Sequence, residues 1–201
     1  MSALPADDAR LAHVTEDVFR SVFRDHAARV VVVTAEGGRG PAGFTATSLT
    51  SVSMDPPMVS FAVARSASAW PTVAKSRRLG VHLLADDQDR LATTFATSGI
   101  DRFEEVRWHP GPAGEPIIED CAAFLQCTVD RHVPAGDHVL VLARVTGAHV
   151  ARVGSPLIYH DGGYATVGPA PLDPAPAPAP DPAIDPAIDP VQDPPVRRTP
   201  Q

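Results

Sequence analysis

The sequence predicts a mainly β domain closed into a barrel. Its apolar runs have the length of strands, glycine and proline turns separate them at short intervals, and few stretches carry a helical period. The longest runs, near Val30–Ala35 and Met58–Ala64, fall far short of the roughly 20 residues that a membrane span needs. No Gly-x-Gly-x-x-Gly joins a strand to a helix, and no Walker-type Gly-Lys-Ser/Thr occurs. A doubly wound nucleotide-binding sheet is therefore not expected.

The folded unit is expected over residues 15–168. Residues 1–14 read as a mobile leader with no basic or apolar signal region. Of 22 prolines, 12 fall within 169–201, which also carries an imperfect Asp-Pro-Ala-Ile repeat. Proline lacks the amide donor of helices and sheets and pushes its predecessor extended, so a disordered tail is expected there. The tail reads either as a solvated segment or as a docking arm for another protein.

Within the unit, Thr15-Glu16-Asp17 opens a helix with a hydroxyl cap and acids in the first turn. Val18, Phe19, Val22 and Phe23 recur along it at helical spacing. Arg29–Ala35 is a valine-rich strand ended by the glycine turn at 36–40. Met58–Ala64 and Leu79–Ala85 are further strands. Ser68 is expected to cap a short helix with Pro71 in its first turn. Asp86 or Asp87 is expected to cap a helix in which Leu91 and Phe95 share a face. Phe124–Val133 alternates and should pair with His138–Val150. Leu157–His160 and Tyr164–Val167 close the unit around Asp161-Gly162-Gly163.

Charge and cysteine usage narrow the function classes. The formal net charge is −7 and Lys75 is the single lysine, which argues against nucleic acid as a partner. Two cysteines, Cys121 and Cys127, make neither a disulfide framework nor a four-thiolate zinc site. No His/Cys/Asp/Glu cluster has metal-ligand spacing, so no metal is expected. These features suit a cytoplasmic protein with reduced thiols and no membrane segment.

The most informative stretch is Gly43–Ser53. Thr45, Thr47, Ser48, Thr50, Ser51 and Ser53 place six hydroxyls within nine positions. Hydroxyls donate and accept, so the run suits a phosphate and a polyol; it also suits a plain edge strand. A second cluster, Ser66 and Ser68, falls between a strand and a helix, where amides favour anions and where serines also simply cap.

In order, GFTATSLTSVSMDPPMVSFAV, RSASAWPTV, GVHLLADDQDRLATTFA, GDHVLVLARV and PLIYHDGGY resemble the short-chain flavin reductases. These are the reductase components of two-component flavin-dependent monooxygenases. The resemblance runs from about Val18 to Gly168. It implies an FMN-binding split β-barrel, a homodimer, and hydride transfer from NADH or NADPH to FMN or FAD for a partner monooxygenase. It implies flavin phosphate and ribityl contacts at Thr45, Thr47 and Ser48, with Ser66 and Ser68 on the phosphate side. The backbone of Phe61, Ala62 and Val63 would line the isoalloxazine. His138, in Gly136-Asp137-His138, would act beside the flavin and hold the nicotinamide nucleotide, with Tyr159 and His160 bordering it. The family commonly carries Asn where this chain has His82. A non-enzymatic flavin-binding module, or a scaffold whose tail docks a partner, stands as the alternative.

Overall fold

A computed structural model of the chain describes residues 15–38 and 40–168. The expected leader at 1–14 and tail at 169–201 lie outside the described residues. The elements are helix α1 (Glu16–Arg24), strands β1 (Ala28–Arg29), β2 (Val31–Gly37), β3 (Gly40–Ala46), β4 (Thr50–Met54) and β5 (Pro57–Ala64), helix α2 (Trp70–Val73), strand β6 (Arg78–Leu83) and helix α3 (Asp89–Ala96). Strands β7 (Trp108–Pro110), β8 (Pro116–Ile118), β9 (Ala123–Ala135), β10 (His138–Val150), β11 (Leu157–His160) and β12 (Gly163–Thr166) follow. Among the described residues, no helix is long and apolar enough to cross a membrane.

Seven strands form one antiparallel sheet in the order β3-β2-β6-β9-β10-β5-β4. Two small sheets, β1-β11-β12 and β7-β8, flank it. The long β9–β10 hairpin shifts register near Leu142 and Val145. Such bulges bend and twist strands, which lets the large sheet curl on itself. The side chains of Val31, Val33, Phe44, Phe61, Val63, Leu79, Val81, Val139 and Val141 then share one core inside the curl. Phe44 of β3 and Phe61 of β5, from opposite arms of the sheet, stand 6.1 Å apart between ring centroids.

The unbroken valine run has a direct cause. Alternate strand residues face opposite ways. Val31 and Val33 point into the barrel, while Val30 and Val32 pack outward with Leu84, Ala92, Phe95 and Leu157. Both faces of β2 are therefore dry, and a polar alternation would leave half its side chains buried without partners.

Helix α1 begins at the expected cap, with Thr15 Oγ1 accepting from Val18 N at 3.3 Å. The expected caps of the other two helices differ. Ala69, not Ser68, precedes α2, with no side-chain cap, and Gln88 precedes α3 rather than either aspartate. Gln88 Oε1 instead accepts from Ala85 N at 2.9 Å. Asp87 is drawn outward to a two-point ion pair with Arg152, at 2.6 and 2.9 Å. That guanidinium holds the Asp87 carboxyl below the usual carboxylate range.

His82 is fully buried on β6. Its Nε2 accepts from Ile118 N at 3.0 Å, which leaves Nδ1–H to donate to Val32 O at 3.2 Å. Burial pushes its pKa down to about 4. The ring is thus a neutral bridge between β2, β6 and β8, a task in which one donor and one acceptor are required.

Candidate functional site

The hydroxyl-rich stretch divides into two strands, β3 and β4, and its hydroxyls have unlike surroundings. Thr45 Oγ1 donates to Ala92 O at 2.6 Å, docking α3 on β3. Gly43 permits the close approach, because a Cβ there would stand 2.6 Å from the Phe95 ring. Ser48 Oγ accepts from Ala62 N at 2.8 Å. The β4–β5 ladder ends at Thr50 opposite Ser60; carried two residues further, the same register would set Ser48 opposite Ala62. Its side chain takes the place of a ladder bond and joins the exit of β3 to β5. Thr47 stays exposed beside this joint.

A cavity of about 390 Å³ opens over the joint. Thr45, Thr47 and Ser48 line one wall, Ala62, Val63 and Ala64 another, and Ser68 and His138 its rim. Phe61 does not line it: its side chain is 0% exposed in the barrel core, on the opposite face from Ala62. Ser66 lies on the exposed turn after β5, outside the cavity. Tyr159 and His160 lie in a different hollow, of about 600 Å³, between α1 and the β11–β12 turn. Within one chain the fold does not bring them to His138.

The remaining wall was not anticipated from sequence. Phe44, Phe95, Ala96, Ser98 and Arg102 complete the cavity. Arg102 donates through Nε to Thr97 O and through Nη1 to Gly43 O, both at 2.8 Å. The following Phe103 anchors the segment. It is 7% exposed and packs edge-on against Phe95 at 5.1 Å and Trp108 at 5.5 Å. Asp101 Oδ1 accepts from Phe103 N at 2.9 Å. Burial pulls the Arg102 guanidinium below its ordinary value, yet an arginine stays charged at neutral pH. Asp101-Arg102-Phe103 sets a cation beside an aromatic in the sequence, but nothing local in it tells that Phe103 packs against Phe95 of α3.

His138 opens β10, opposite Ala64 of β5 and Ala135 of β9. Gly136 takes a φ of +61° in the connection between β9 and β10, a conformation that suits glycine. The cavity thus combines one fixed cation, the exposed hydroxyls of Thr47, Ser48, Ser68 and Ser98, a short-side-chain strand wall and one imidazole. That donor set fits a phosphorylated, planar, partly apolar ligand. A larger hollow of about 550 Å³ carries Asp101, Glu104, Glu105, Glu119 and Asp120, carboxylates that would repel a phosphate. Neither thiol offers chemistry, since burial pushes Cys121 and Cys127 up to about 12.

A curled antiparallel barrel with a cavity at its joint defines a small β-barrel domain suited to a phosphorylated, planar ligand. The chain belongs to the family described as the flavin reductase like domain, which matches residues 23–168. The NADH:FMN oxidoreductase of Rhodococcus erythropolis is 40% identical over 159 residues, covering 77% of this chain and 82% of that protein. A flavin-dependent monooxygenase reductase subunit, HsaB of Mycobacterium tuberculosis (strain ATCC 25618 / H37Rv), is 30% identical over 166 residues, 82% of this chain and 89% of that one. The NADH:FAD oxidoreductase SgcE6 of Streptomyces globisporus C-1027, solved with NAD and FAD fragments, superposes with a TM-score of 0.72. It is 32% identical and covers 76% of this chain and 93% of that one.

Proposed function

We propose that the chain is an NAD(P)H-dependent flavin reductase that supplies reduced flavin to a partner monooxygenase. The observation that carries the reading is the meeting of Arg102, Thr47, Ser68 and His138 around one cavity over the Ser48–Ala62 joint. When bound there, FMN or FAD accepts a hydride from NADH or NADPH, and the redox chemistry belongs to the cofactors. The chain's residues position. Arg102 and the hydroxyls of Thr47 and Ser68 hold the phosphate. Ala62 and Ala64, with the backbone of Val63 between them, present a flat strand wall whose short side chains admit a ring. His138 meets the nicotinamide nucleotide at the rim. No nucleophile or general base is required of the protein for such a transfer, which demands proximity and orientation.

The chain is read as a homodimer acting in the cytoplasm, where reduced nicotinamide nucleotides are available. Val52 and Met54 on edge strand β4, with 50% and 84% exposure, support a second copy covering that face. Tyr159 and His160 would border the nicotinamide only if a second copy brought their hollow near His138. The test is oxidation of NADH and of NADPH, followed by the loss of nicotinamide absorbance, with FMN, FAD or riboflavin added and no partner present. Flavin-dependent turnover is expected, and His138→Ala lowers it through the nucleotide. Tight flavin binding without turnover would overturn the reading in favour of a non-enzymatic flavin-binding module.

A further inference from the structure

His138 does not stand alone at the cavity rim. Its Nδ1 lies 2.7 Å from Oδ1 of Asp137, the residue before it. Neighbouring side chains in an extended strand point to opposite faces, so this contact needs the turn. Gly136, at a φ of +61°, and Asp137 form the two-residue connection between Ala135 and His138. The Asp137 carbonyl accepts from Arg65 N at 3.0 Å, and His138 pairs with Ala64. Both residues are therefore tied by their backbones to the end of β5, the strand that walls the cavity. The Asp137 side chain is 91% exposed and that of His138 45%. An exposed pair of this kind adds little to folding stability. Because an ionised carboxylate only accepts, the contact is made with the proton on Nδ1.

We propose that Asp137 is the positioning residue for His138, accepting from Nδ1–H and so leaving Nε2 as the ring nitrogen presented to the nicotinamide nucleotide. This rests on the reading of His138 as the group that meets that nucleotide. The interaction with the imidazole also holds the Asp137 carboxyl below its usual range, as an acceptor-only group. A freely rotating imidazole would offer either nitrogen and two ring faces. Asp137 reduces these to one arrangement before the nucleotide arrives, which lowers the orientational cost of binding.

The experiment is steady-state kinetics of the full chain, with the nucleotide varied at saturating flavin, and a separate flavin-binding titration. Asp137→Ala is expected to lower kcat/KM for the nucleotide roughly three- to tenfold, the scale of one hydrogen bond, with flavin affinity unchanged. Asp137→Asn keeps an oxygen acceptor at the same reach and restores most of the loss. Asp137→Ser, a residue at ease in turns but too short to reach Nδ1, matches alanine. In a His138→Ala background, Asp137→Ala adds no further loss. Unimpaired kinetics in His138→Ala would overturn the reading on which the proposal rests. An impaired His138→Ala beside an unimpaired Asp137→Ala, or losses that multiply in the double variant, would overturn the proposal alone.

Discussion

Replacing Arg102 by glutamine is expected to separate FMN from riboflavin. The guanidinium carries five N–H donors. Nε and Nη1 each hold a backbone carbonyl, of Thr97 and of Gly43, which leaves three donors for a ligand in the cavity. A hydrogen bond to a charged group contributes about 1.5–3 kcal/mol, and partial exposure of the side chain favours the lower end. At about 1.4 kcal/mol per tenfold, the loss in FMN affinity is roughly tenfold. Riboflavin has the same ring and ribityl chain but no phosphate, so its affinity is expected to change by less than about twofold. The assay is quenching of flavin fluorescence, titrated for both ligands against the parent and Arg102→Gln. The paired ligands matter because Arg102 also clamps Gly43 and Thr97. If the variant merely loosened that clamp, both flavins would weaken together. Equal losses, or no loss for FMN, would refute the placement of the phosphate at Arg102.

Two further outcomes follow from other parts of the fold. His82 is held at about 4 against an ordinary 6.5, so between these values the unfolded chain binds the extra proton. Stability therefore falls as pH drops from about 6.5 towards about 4, by about 3 kcal/mol for this group, and urea titrations across that range should show the slope reduced in His82→Asn. Parallel pH profiles would refute the buried-neutral assignment. Ser48→Ala removes the acceptor of Ala62 N and is expected to cost about 1 kcal/mol by chemical denaturation while weakening flavin binding. A variant as stable as its parent would show that the joint contributes nothing.

The fold was legible where burial imposes a period. The β10 range His138–Val150 and the β11 range Leu157–His160 agree with the strands read from sequence, the first as the partner of the alternating Phe124–Val133. The valine run of β2 is equally plain, since a strand dry on both faces needs no alternation. The β7–β8 hairpin escaped notice because three-residue strands carry too little pattern. The helix caps were misplaced for a different reason. Asp87 has an ordinary capping side chain, but Arg152, 65 residues away, draws it elsewhere. The site shows the same division. Three residues of the hydroxyl-rich run line the cavity, but their density could not tell that Thr45 is engaged by α3 and Ser48 by β5 while Thr47 is exposed. Arg102 was hidden because its place depends on Phe103 packing under a helix, a tertiary fact with no local signature.

The joint at Ser48 has a consequence for which side of the cavity the barrel itself fixes. The β4–β5 ladder stops at Thr50, while β5 stays laddered to β10 through Ala62, Val63 and Ala64. Here one serine hydroxyl spans the gap, and Ala62, which it holds, is part of that wall. The β5 wall is thus set by the barrel, and the Ser48 hydroxyl registers the exit of β3, with Thr47 beside it, against that wall.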